Sequence, residues 1–125
     1  MFGSKKEPSS AVGILSEKTC APCAGGTRPI DGEQLDEMLA LCPGWHTTDG
    51  NKITKEYKFA DWKGAADFCY RVADLAEQEG HHPDIHLYYG KVVIECSTHK
   101  VKGLSENDFI LAAKIDRMQE GADLE

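Results

Sequence analysis

Apolar residues recur at helical spacing in three stretches of the chain and alternate with polar ones in between. Leu35, Met38, Leu39 and Cys42 share one helical face; Asp31 is the predicted N-cap, with Gln34 as its reciprocal partner and Ile30 placed to pack on Leu35. Pro43-Gly44 stops that helix. Trp45 to Phe59 reads as a hairpin, since Ile53, Tyr57 and Phe59 share one parity, Thr54, Glu56 and Lys58 the other, and Asp49-Gly50-Asn51 supplies a turn. A second helix opens at Asp61 and ends at Gly80, where a positive φ is wanted. Its predicted buried stripe is Trp62, Ala65, Ala66, Cys69, Val72, Ala73 and Ala76, widened by Phe68 and Leu75.

Ile85, Leu87 and Tyr89 then alternate with polar residues, as do Val92, Ile94 and Cys96. A two-residue turn at Gly90-Lys91 sets Tyr89 opposite Val92, Leu87 opposite Ile94 and Ile85 opposite Cys96, all on one apolar face. Ser105 caps a third helix carrying Leu111, Ile115 and Met118. The order α-β-β-α-β-β-α predicts an α+β fold, a four-stranded antiparallel sheet with helices packed on one face. The expected organisation is a flexible leader over 1–30, a single domain over 31–120 and a frayed tail over 121–125.

Composition narrows the function. The 125 residues are 41% hydrophobic and 28% charged, an ordinary globular mixture. Fourteen Lys and Arg against 21 Asp and Glu leave a net charge of −7, which argues against nucleic-acid or anionic-membrane partners because both call for a cationic field. No apolar run approaches the roughly 20 residues that span a bilayer, and the first residues lack a secretory apolar stretch; a cytoplasmic protein is expected. Five cysteines are an odd number for a disulfide framework, and Cys42, Cys69 and Cys96 fall in apolar stripes. Cys20-Ala21-Pro22-Cys23 has neither the preceding strand of a redox motif nor a second pair to complete a zinc site, so it reads as structural.

Extending the hairpin register sets His82 opposite His99, with His81 adjacent, so three imidazoles are expected to converge. Such a cluster suits acid–base work, since histidine titrates near 6.5. The residues alone leave two other uses open, a three-histidine metal site and a purely structural role. His86 stands four residues from His82, about 13 Å along a strand and too far to share one zinc ion, and reads as a solvated residue opposite Glu95. Ser105-Glu106-Asn107-Asp108 forms a capping box on which Asp108 reaches back to the cap N–H. Glu77 lies one turn before the histidine pair.

These residues resemble a known signature. Glu77, three residues, His81-His82-Pro83, five residues, Tyr89, nine residues, His99, eight residues and Asp108 is similar to the pattern of the pterin-4a-carbinolamine dehydratases. Ser97-Thr98-His99, Gly103-Leu104-Ser105-Glu106, Pro43-Gly44-Trp45 and a leader with Cys-x-Pro-Cys add to the likeness, which runs from about residue 20 to 118. The resemblance implies a lyase that removes water from 4a-hydroxytetrahydrobiopterin to give the quinonoid dihydropterin, in tetrahydrobiopterin recycling, with neither metal nor organic cofactor. It implies His81 and His99 as the catalytic acid/base pair, with His82 orienting the pterin. Glu77 and Asp108 would support the imidazoles, and Pro83 the loop. A small-molecule pterin is then the substrate and a homodimer or homotetramer the assembly. The alternatives that it carries are a dimerisation cofactor of a transcription regulator and action on another pterin, as in molybdopterin metabolism. Gly80, Ile85 and Asn107 depart from the commoner pattern, which has an acidic, an aromatic and a basic residue at these places.

Overall fold

The computed structural model of the chain describes residues 15–22 and 28–123, the last three by backbone alone. Its elements are α1 (Gly32–Ala40), β1 (Ile53–Lys58), α2 (Trp62–Glu79), β2 (Asp84–Tyr88), β3 (Lys91–Cys96), a 3-10 turn over His99–Val101, and α3 (Glu106–Asp123). The strands make one antiparallel sheet in the order β1-β3-β2.

The α+β class is as expected, but among the described residues the sheet has three strands and not four. The segment read as the first strand contributes a single bridge, His46 to Thr54. Beyond it the Gly50 N–H donates to Thr47 Oγ1 (2.9 Å) and the Asn51 N–H to Asp49 Oδ1 (3.1 Å). These local side-chain acceptors satisfy the backbone inside the loop and compete with a ladder.

The β2–β3 register also differs from the expected one, by two residues: Ile85 pairs with Ile94, Leu87 with Val92 and Tyr88 with Lys91. The turn is therefore Tyr89-Gly90, with Gly90 at φ +74°. Its carbonyl accepts the Phe59 N–H (2.8 Å), which ties the turn to the end of β1, and a Cβ at Gly90 would sit 3.2 Å from the Phe59 carbonyl oxygen. A slip of two keeps every side chain on its own face, so alternation alone does not choose between the registers. His86 consequently faces Val93 and reaches Glu95 on the diagonal, at 3.3 Å. His82 and His99 are not strand partners, because β2 begins at Asp84 and β3 ends at Cys96.

Ile53 and Tyr57 of β1 and Val92, Ile94 and Cys96 of β3 form the buried face of the sheet, packed in one core with Ala65, Phe68 and Val72 of α2. Asp61 caps α2 by accepting the Gly64 N–H (2.8 Å), whereas Asp31 makes no side-chain bond to α1. The stripe on α2 is narrower than its sequence suggests: Trp62 is 50% exposed and Ala73 is exposed. The third helix is the opposite case. Phe109, Ile110, Leu111, Ala112, Ala113 and Ile115 are all buried, so the first half of α3 is covered on more than one side, as a helical segment apolar all round must be. Leu15 and Ile30 join its core, and residue 16 is held along it by Lys114 Nζ on the Ser16 carbonyl (2.8 Å) and Arg117 on the Ser16 hydroxyl oxygen (3.0 Å).

Burial pushes the Cys42 thiol up to about 12, with the Asp116 carboxylate adding to it, and burial also raises the Cys96 thiol well above its ordinary value. Above pH ~9 an unfolded thiol releases a proton that the folded one keeps, so stability is complete below that pH and declines as pH rises. Each such thiol removes about 1.4 kcal/mol per pH unit across this window. Urea midpoints are expected to be level between about pH 7 and 8.5 and to fall by about pH 10.5, and Cys42→Ala is expected to flatten the fall. A wild-type midpoint unchanged at the higher pH would contradict this.

Candidate active site

The end of α2 aims the first histidine. Gly80 takes φ +69°; its N–H donates to the Glu77 carbonyl (3.3 Å) and the His81 N–H to the Ala76 carbonyl (3.2 Å), a Schellman turn that fixes how His81 leaves the helix. The ring then meets the first turn of α3, with Nε2 at 2.6 Å from Asp108 Oδ1. The Asp108 side chain is wholly buried and the imidazole is 12% exposed.

Asp108 is surrounded by donors. Its Oδ2 accepts the Thr98 hydroxyl (2.7 Å) and the Ser105 backbone N–H (3.0 Å). Since the Thr98 proton goes to the carboxylate, the Ser105 hydroxyl donates in the 2.7 Å contact between the two hydroxyls. A carboxylate accepts and does not donate, so the His81 proton sits on Nε2, and Nδ1 is the nitrogen left to take up or release a proton. The position at the N-terminus of α3 adds the favourable end of the helix dipole. Asp108 does reach back to the cap N–H, as a capping box requires, but the Ser105 hydroxyl serves Thr98.

Thr98 is itself locked. Its N–H donates to the Gly103 carbonyl (2.7 Å) and the Gly103 N–H returns to the Thr98 carbonyl (3.3 Å), closing the turn that His99 opens. His99 is exposed on that turn. His82 turns back to the last turns of α2, its Nε2 3.0 Å from Glu77 Oε1, with both side chains largely in solvent. Pro83 follows, half-buried, before β2.

The structure thus brings His81 together with Asp108 and His82 together with Glu77. His99 is linked to the first pair through its neighbour Thr98, not by facing His82. The Ser105 cap N–H is the partner that the capping box predicts for the carboxylate, whereas Thr98 is not singled out by sequence as one. The signal available for Thr98 was its hydroxyl beside His99 within the signature. Among the described residues no three His, Cys, Asp or Glu side chains are grouped as metal ligands would be. Burial and the nearby Glu79 push the Cys20 thiol up to about 12, which makes it a poor redox nucleophile; Cys23 lies outside the described residues.

The sequence pattern of the family described as Pterin 4 alpha carbinolamine dehydratase matches residues 28–118. The chain belongs to this family. A provisionally named pterin-4-alpha-carbinolamine dehydratase of Halorhodospira halophila is 48% identical over 105 residues, covering 83% of this chain and 96% of its own. One from Rubrobacter xylanophilus, also provisionally named, is 43% identical over 104 residues, 83% of this chain and 97% of that protein. A solved structure from Brucella melitensis, described as a transcriptional coactivator/pterin dehydratase, superposes with a TM-score of 0.68 at 30% identity, over 73% of this chain and 98% of its own. The span matched to the dehydratase family holds Glu77, His81, His82, Pro83, His99 and Asp108.

Thr98→Val leaves Asp108 one donor short and the Ser105 hydroxyl without its acceptor. A loss of about 1–3 kcal/mol in urea unfolding is expected, with Thr98→Ser close to wild type. Equal stability of Val and wild type at this position would rule out the hydroxyl chain.

Proposed function

We propose that the chain removes water from a 4a-hydroxytetrahydropterin to give the quinonoid dihydropterin. The bond between C4a and its hydroxyl oxygen breaks, the N5 lone pair forms the C4a=N5 double bond, N5 loses its proton, and the hydroxyl leaves as water after taking one. One proton removed and one delivered balance the reaction, so neither metal nor organic cofactor is needed. What carries this reading is the pair made by His81 and the buried Asp108 at 2.6 Å. It supplies an imidazole of fixed tautomer whose Nδ1 is left to take up or give a proton. His99, on the turn whose Thr98 binds the same carboxylate, is the second acid/base group. His82, paired with Glu77 in solvent, orients the pterin ring, and Pro83 holds the loop between them and β2.

The tetrahydropterin cycle of aromatic hydroxylation is the proposed setting, in the cytoplasm. No helix among the described residues is long and apolar enough to cross a membrane. A second reading, as a dimerisation cofactor of a transcription regulator, is favoured by the description of the Brucella relative as a coactivator and by the exposure of Trp62 and Tyr70 on α2. Self-association is proposed as a homodimer or homotetramer, since β1 and β2 are both sheet edges.

Quinonoid dihydropterin formation, followed by absorbance, is expected to fall about 10²–10⁴-fold in a His81→Ala, His99→Ala double variant that still folds, and to be insensitive to chelator in the wild type. Unchanged turnover in the double variant would remove the mechanism. Sedimentation at micromolar concentration is expected to show a dimer or tetramer; a monomer would overturn the assembly.

A further inference from the structure

Two short pieces of chain meet at the His81–Asp108 contact, the end of α2 and the first turn of α3, and a third segment fastens one to the other. Glu79 stands two residues before His81, and Asn107 one before Asp108. Residues 20 and 21 bind both. The Cys20 N–H donates to Glu79 Oε1 (3.0 Å) and the Ala21 N–H to Asn107 Oδ1 (3.0 Å), while Asn107 Nδ2 donates to the Ala21 carbonyl (2.6 Å). The Cys20 thiol adds a contact to the Asn107 carbonyl at 3.6 Å. On its other oxygen Glu79 is met by Lys114 of α3 at 3.5 Å.

The paired bonds between the Asn107 amide and the Ala21 peptide imitate one rung of backbone pairing. They fix both the distance and the orientation of Asn107, and with it those of the next residue. We propose that Cys20-Ala21 and Asn107 form a clasp that holds the end of α2 against α3 and so positions Asp108 against His81 for the dehydration. The inference rests on the reading of His81 as an acid/base group. Asn107 is a positioning residue here: it acts through Asp108. The clasp matters because a proton-transfer group displaced by a fraction of an ångström loses much of its effect, up to about 10²-fold for a full 1 Å. Its leader half lies ahead of the span that the family pattern matches, residues 28–118.

The test uses the full chain with Asn107→Leu, which removes both side-chain bonds, and Ala21→Pro, which removes the N–H from the other side. Each is expected to lower kcat about tenfold with KM changed less than about twofold. The double variant is expected to match the singles, because all break one clamp. In proton NMR the resonance of the His81 Nε2 proton is expected to shift upfield or broaden in both. Wild-type kcat and an unmoved resonance, even with a lower Tm, would overturn the clasp as a positioning device and leave it a structural strap. Should Asn107→Leu not fold, Ala21→Pro decides by the same two readouts. His81→Ala in the same assay separates the failures. Full turnover there sinks the acid–base reading itself, whereas loss there beside full activity in the clasp variants sinks the clasp alone.

Discussion

A carboxylate with no exposed surface is the constraint around which this chain closes. Burying an ionised group costs on the order of several kcal/mol unless donors replace its water. Asp108 recruits them from three places: its own helix cap at Ser105, the turn after β3 at Thr98, and the end of α2 at His81. Each donor is held by backbone bonds of its own, the Schellman turn for His81 and the Thr98–Gly103 bridge for Thr98. The satisfaction of one buried charge therefore specifies how α2, α3 and the sheet's last turn meet.

Further along α3 a second carboxylate does the same for the sheet. Asp116 accepts the Trp45 indole N–H (2.9 Å), the Lys55 ammonium (2.8 Å) and the Tyr57 hydroxyl (2.6 Å). Burial and this carboxylate push the Tyr57 phenol well up, which keeps it a donor. With Phe109 to Ala113 buried between the two acids, α3 is the axis of the molecule: one acid supports the candidate site, the other ties down β1 and the loop at Trp45.

Side-chain period explains what could be read from the sequence and what could not. The caps at Asp61 and Gly80, the faces of β2 and β3 and, but for Trp62 and Ala73 on α2, the helical stripes follow from spacing and turn chemistry. The hairpin register was not legible, because a slip of two preserves every face and the deciding bond, Phe59 to Gly90, joins segments far apart in sequence. The lost strand turned on two short polar side chains, Thr47 and Asp49, that satisfy the loop backbone locally. The packing of residues 15 and 16 on α3 did leave a trace in the sequence. Phe109-Ile110-Leu111-Ala112-Ala113 is too apolar for a helix covered on one side, yet a stripe was all that was read from it. At the site, the pairings of His81 with Asp108 and His82 with Glu77 join residues that the signature had already singled out. Thr98 escaped because a hydroxyl carries no chemistry until the group it serves is known to be buried.

The two histidines of the pair differ in what holds them, and that difference supports the division of roles proposed for them. Asp108 gives Oδ2 to Thr98 and Ser105 and keeps Oδ1 for His81, so the orientation of the oxygen that meets His81 is set by bonds made to the other one. His81 is in consequence preorganised, with one tautomer and one working nitrogen, which is what proton transfer rewards. His82 and Glu77 pair in solvent, where water competes for both partners and little holds the ring in one geometry. An imidazole so placed can follow a flat ligand as it settles. A fixed imidazole next to an adaptable one fits the acid/base group and the ring binder proposed above, and burial is what distinguishes the two.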